Sequence, residues 1–136
     1  MIRTATAADV DAVLALWDTA GPPSKSLPDT PTGVLALLAR DPEALLVAEE
    51  EGKVIGTAIV TFDGWRCYIY RMAVAVSHRR RGIGRALVGA AEARIRELGG
   101  VRADALTLKD DEAARAYWHS LGYGPDLRLV RWGKLL

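Results

Sequence analysis

A chain of 136 residues, half of them hydrophobic, is long enough to bury a core and too short for two ordinary domains. Its net charge of +1 gives no broad attraction for nucleic acid, and no apolar run approaches the ~18 residues a membrane helix needs. The single cysteine, Cys67, excludes an internal disulfide, and nothing in the spacing of Cys and His suggests a metal cluster.

In chain order the pattern alternates between strand and helix. Residues 2–6 predict a short strand, and Thr6 with Asp9 a capping box for a helix burying Val10, Val13, Leu14 and Trp17. Breaker residues fill 21–29, and Pro31 suits the first position of a second helix ending by Asp41-Pro42. Residues 44–49 and 54–62 predict strands joined at Glu51-Gly52, and Asp63-Gly64 signals a hairpin into a strand over 66–76. A long helix from Ile83 is expected to bury Ile83, Leu87, Ala91, Ile95 and Leu98 and to stop at Gly99-Gly100. Residues 103–108 read as another strand. Asp110 or Asp111 caps a helix running to Leu121, and residues 127–135 read as a last strand. Trp17, Trp65 and Trp132 read as packing residues, and Glu49-Glu50-Glu51 as a solvated hairpin tip. No basic-then-apolar leader precedes this pattern, so one domain over 1–136 in the cytoplasm is expected, with no membrane partner.

The segment His78-Arg-Arg-Arg-Gly-Ile-Gly-Arg85 lies between an apolar strand and the long helix. Glycines there let the backbone approach a ligand closely, and the first helical N–H groups have no partner within the helix. The helix dipole and the arginines add positive charge, so the expected guest is a phosphate or pyrophosphate. Spacing decides which kind. A dinucleotide fingerprint needs a third glycine where Leu87 stands, and a P-loop needs a Gly-Lys-Ser/Thr triplet that is absent.

Arg79-x-x-Gly82-x-Gly84 instead resembles the acetyl-CoA pyrophosphate loop of the GNAT superfamily of N-acetyltransferases, Q/R-x-x-G-x-G/A. Tyr70-Arg-Met-Ala-Val74 before it is similar to that family's fourth strand. Residues 111–123, DEAARAYWHSLGY, resemble the segment N-x-x-A-x-x-F-Y-x-x-x-G-F, with Ala114, Tyr117, Gly122 and Tyr123 at matching offsets. The opening Ile2-Arg3-x-Ala5-x-x-x-Asp9 also fits, so the resemblance spans nearly the whole chain.

The resemblance implies an α/β fold: a mixed, mostly antiparallel sheet of six or seven strands, about four helices on its two faces, and splayed fourth and fifth strands. It implies acetyl-CoA as cosubstrate and no metal. The backbone of Met72, Ala73 and Val74 would pair with the pantetheine arm. Amides of Arg81, Gly82, Ile83, Gly84 and Arg85 would hold the pyrophosphate, helped by the side chains of Arg79, Arg80, Arg81 and Arg85. Ala114 and Asp111 complete the implied cofactor set, although Asp111 replaces the family's asparagine and lacks its amide donor.

The chemistry departs from the family at one place. Trp118 occupies the position where the family often has a tyrosine as general acid, and an indole cannot release its proton at useful pH. Tyr68 and Tyr70, two apart on one strand face, and Asp104 are the candidates for lining the acceptor cleft and relaying protons through water. The acceptor is expected to be a primary amine on a small molecule, peptide or protein, in a pocket shaped by residues 20–32 and the hairpin near Asp63; a fold resemblance does not transfer substrate. A homodimer through strand edges is suggested by analogy alone. Two other readings follow from the same residues. A non-catalytic CoA-binding module would explain Trp118. A nucleic-acid binder would use Arg79 to Arg81, against which the small net charge argues.

Overall fold

The computed structural model describes residues 1–21 and 27–136. Its single sheet runs in chain order through β1 (Ile2–Thr4), β2 (Leu45–Glu50), β3 (Lys53–Phe62), β4 (Cys67–Val74) and β5 (Asp104–Ala105). The first four strands pair antiparallel and β5 joins β4 parallel. Among the described residues four α-helices accompany it: α1 (Val10–Ala20), α2 (Pro31–Arg40), α3 (Ile83–Glu97) and α4 (Glu112–Ser120).

β3 is buried on both faces, which explains its continuous apolar run. Ile59 packs toward Val13, Trp17 and Val34 of α1 and α2, whereas Ala58 and Val60 pack toward Leu87, Ala91 and Ile95 of α3. Trp118 of α4 joins the α3 side. The capping box before α1 forms through Thr6 and Asp9. The Asp9 carboxylate accepts from the Thr6 amide and two Arg3 guanidinium N–H groups, all at 2.8 Å, and the Arg3 charge lowers its pKa to about 2. Thr30 caps α2, with Pro31 at its first position.

Several expectations need correction. The sheet has five strands among the described residues, not six or seven. Residues 127–135 form no strand, because the segment finds no ladder partner among the described residues, and Trp65 and Trp132 are exposed instead of packed. The expected strand over 103–108 shortens to Asp104–Ala105, where β4 is in reach. On α1, Leu16 is buried and Leu14 is only half-buried. On α3, Val88 is buried, whereas Ile83 is half-buried beside a cavity and Leu98 is exposed beyond the last turn.

Candidate cofactor and active site

β4 carries the feature that organises the site. Its register with β3 runs from Ile59 opposite Tyr70 to Thr57 opposite Ala73, so Arg71 and Met72 both oppose Ala58. This is a β-bulge, and Arg71 takes the left-handed conformation at φ 50°. One extra residue reverses which face each later side chain meets. Ile69 packs on the α3 side, whereas Ala73, four residues on, packs on the α1 side. A relay holds the bulge: the Trp17 indole N–H donates to Thr57 Oγ1 (2.8 Å), and the Thr57 hydroxyl donates to the Arg71 carbonyl (2.9 Å). Thr57 is fully buried. The Arg71 guanidinium lies 5.4 Å from the Trp17 ring centre and pairs with Asp29.

Among the described residues β4 has no strand partner on its β5 side beyond Ile69, because that ladder comprises only Tyr68–Asp104 and Ile69–Ala105. The backbone from Tyr70 to Val74 therefore borders a gap. A cavity of about 520 Å³ opens there, between the end of β4, the start of α3 and one face of α4. Met72, Ala73, Val74, Arg79, Arg80, Gly82, Ile83, Gly84, Arg85 and Ala114 line it, with His78, Tyr117 and Trp118. Its size suits a small-molecule or cofactor site.

The loop into α3 is shaped by two left-handed residues, Arg80 at φ 64° and Gly82 at φ 81°. Such a turn aims successive N–H groups to one side, and the free amides of the first turn of α3 follow directly. A non-glycine residue there stores strain of ~1–3 kcal/mol, which the surrounding contacts must hold. Arg79 supplies part of that restraint, donating to the Val74 carbonyl (3.1 Å) and the Ala20 carbonyl (3.3 Å). Arg81 makes two bonds to the Glu50 carboxylate (2.6 and 3.1 Å), and His78 lies 3.0 Å from the same group. The hairpin tip is thus partly committed to the loop, not simply solvated. Arg85 reaches the Ser120 carbonyl at 3.5 Å. Among the described residues Arg80 alone of the four has no such partner, leaving its charge available beside the cavity.

The remaining sequence candidates lie elsewhere. The Asp111 carboxylate accepts from the Ala114 amide (2.9 Å) as the cap of α4 and does not line the cavity. Tyr68 and Tyr70 sit on the opposite face of β4 from Cys67 and Ile69 and are each more than a third exposed. Burial of the Tyr70 ring raises its phenol pKa, keeping the proton on. Asp104 is bound by Arg102 at 2.9 Å. None of these three lines the cavity, and residues 22–26 of the expected acceptor loop lie outside the described residues.

A match to the model of the acetyltransferase (GNAT) family covers residues 10–123, which contain the bulge, the loop and α4. The chain is a GNAT acetyltransferase. It is similar to an acetyltransferase of Pectobacterium atrosepticum, with 28% identity over 85% of this chain and 81% of that one. Among solved structures it resembles the ribosomal-protein-alanine N-acetyltransferase of Brucella melitensis (28% identity, TM-score 0.73, covering 90% of this chain and 83% of that one). It also resembles a Mycobacterium tuberculosis protein solved in complex with CoA (28% identity, TM-score 0.65, covering 86% and 70%).

In this acetyltransferase Trp118 is buried, meeting Tyr117 and Tyr123 edge-on at 5.7 and 4.8 Å between ring centres. The neighbouring Tyr117 carries a buried hydroxyl without a hydrogen-bond partner among the described residues, set so close to Gly84 that a Cβ there would lie 2.7 Å from it. Burial raises the Tyr117 pKa, so the group remains a donor. Sequence reasoning missed the bulge and its relay. Their one signal was polar Thr57 and Arg71 interrupting otherwise apolar strands.

Proposed function

We propose that the enzyme transfers the acetyl group of acetyl-CoA to a primary amine by direct attack while both substrates are bound. The single observation carrying this reading is the cavity itself, where the unpaired β4 edge, the left-handed loop and the first turn of α3 meet. The residues present suit the cosubstrate. Loop amides from Arg81 to Arg85 would take the diphosphate, Arg80 would add charge, and backbone groups of Met72 and Ala73 would pair with the pantetheine arm. The Val74 carbonyl is already shared with Arg79, which restricts that pairing to its neighbours.

Bound acetyl-CoA supplies an activated thioester. The chain's own task is to hold that group, keep water out and present an uncharged amine to it. Trp118 walls the reacting end of the cavity and contributes shape, not a proton. Tyr68 and Tyr70 are proposed to border the acceptor side, with Asp104 reaching it only when released by Arg102. Small-molecule, peptide and protein amines all remain within this reading, as does action as one domain in the cytoplasm.

Calorimetry with acetyl-CoA, followed by thiol-release assays across an amine panel, tests it. Saturable binding and amine-dependent thiol release are expected. Absence of binding would remove the reading, and binding without release from any amine would leave a CoA-binding module in place of the proposed transfer.

A further inference from the structure

One donor in the cavity is left over. Among the described residues the buried Tyr117 hydroxyl has no hydrogen-bond partner, although Tyr117 lines the cavity with Gly84, Arg85 and Ala114. A buried donor without an acceptor is a net cost to the fold and calls for a reason. The other buried side-chain atom in this condition, Arg94 Nε, belongs to a guanidinium already bonded to Asp41 and the Val60 carbonyl. Tyr117 has no such compensation. Its ring meets Trp118 edge-on, and its oxygen rests against the first turn of α3. A Cβ on Gly84 would lie 2.7 Å from that oxygen, so the missing side chain is what leaves room for the hydroxyl. The amides of that first turn have no acceptor within the helix, and Arg85 is near enough for its charge to act on the phenol. The surroundings of the hydroxyl are those of an anion seat.

We propose that the Tyr117 hydroxyl donates a hydrogen bond to the diphosphate of bound acetyl-CoA. The inference rests on reading the cavity as an acetyl-CoA site, and it adds a ligand from α4 to a seat otherwise built from the loop and α3. The oxygen is closed to water in this structure, so a small rotation of the half-buried ring must carry it to the phosphate. No hydrogen bond holds the hydroxyl where it is, so the rotation breaks none. The bond gained is to a charged acceptor, which is stronger than one to a neutral group. A phenol suits the task because it donates without bringing charge. Burial raises its pKa against the opposing Arg85 charge, so the proton stays in place.

Calorimetry and thermal unfolding of Tyr117→Phe beside the unaltered enzyme test the assignment. Acetyl-CoA affinity should fall roughly 10-fold, the scale of one hydrogen bond to a charged group less the cost of moving the ring. The unfolding midpoint without cosubstrate should stay level or rise, because an unpaired buried donor has been removed. Adenosine diphosphate, which carries the diphosphate without the pantetheine arm, should compete with acetyl-CoA more weakly by a similar factor. Unchanged acetyl-CoA affinity would overturn the proposal and leave the cavity's reading intact. A lowered midpoint would make the hydroxyl a support of the fold and overturn it too. A loss confined to acetyl-CoA, with adenosine diphosphate competing as before, would move the contact to the arm and overturn the assignment to the diphosphate. An unaltered enzyme that binds no acetyl-CoA would instead remove the reading of the cavity, and this proposal with it.

Discussion

The two sides of β4 are built by different means. Toward α3 and α4 the site is made of backbone: a bulge, two left-handed residues and a helix start, restrained by Arg79, Arg81 and the Trp17–Thr57 relay. Toward Tyr68 and Tyr70 it is made of half-exposed side chains, with Asp104, opposite Tyr68 in the ladder, already bound by Arg102. A diphosphate and a pantetheine arm are the same for every acceptor, so rigid backbone suits them. An acceptor differs from one enzyme to another, and side chains on an open face can be exchanged without disturbing the core.

Substitutions separate the two sides. Gly82→Leu should have the largest effect. Its φ of 81° costs a branched residue ~1–2 kcal/mol, and no atom lies within 4 Å of a Cβ there, so the fold should survive while the loop relaxes. Acetyl-CoA affinity should fall by more than about 30-fold in calorimetry, about 2 kcal/mol. An unchanged affinity would detach the loop from the cofactor.

Thr57→Val should come next. It leaves the buried Trp17 N–H without its acceptor and removes the Thr57 hydroxyl from the Arg71 carbonyl, costing ~1–3 kcal/mol for the unsatisfied indole donor. Thermal unfolding should shift down by roughly 5–10 °C, with weaker acetyl-CoA binding. A bulge independent of the relay would keep the binding intact.

Gly84→Ala brings a methyl group to 2.7 Å from the Tyr117 hydroxyl, although the family's loop pattern accepts alanine at this position. Overpacking should cost ~1–3 kcal/mol of stability, and Tyr117→Phe should restore most of it. Failure of that rescue would show that the contact is not the cause. The smallest effect belongs to the other side. Tyr68→Phe and Tyr70→Phe should each raise the amine KM by roughly 2–10-fold, on the scale of one lost hydrogen bond, without changing acetyl-CoA affinity. A change in cofactor affinity instead would erase the division.

What was legible in the sequence was local. The glycines and arginines before Ile83, the caps at Thr6 and Asp111, and the start at Pro31 each depend on a few consecutive residues. What was hidden depends on distant partners. The bulge exists only in the register between β3 and β4, and Arg81 finds Glu50 across 31 residues of sequence. The segment 127–135 is apolar enough for a strand, but a strand needs a neighbour and the described residues provide none. The sheet therefore closed one or two strands short of the expected number.

A crystal structure with acetyl-CoA addresses the central claim most directly. The diphosphate should accept hydrogen bonds from amides between Arg81 and Arg85, with the Arg80 guanidinium turned onto it and the thioester lying between the ends of β4 and α4. A diphosphate bound away from that loop, with those amides facing solvent or a side chain, would contradict the account.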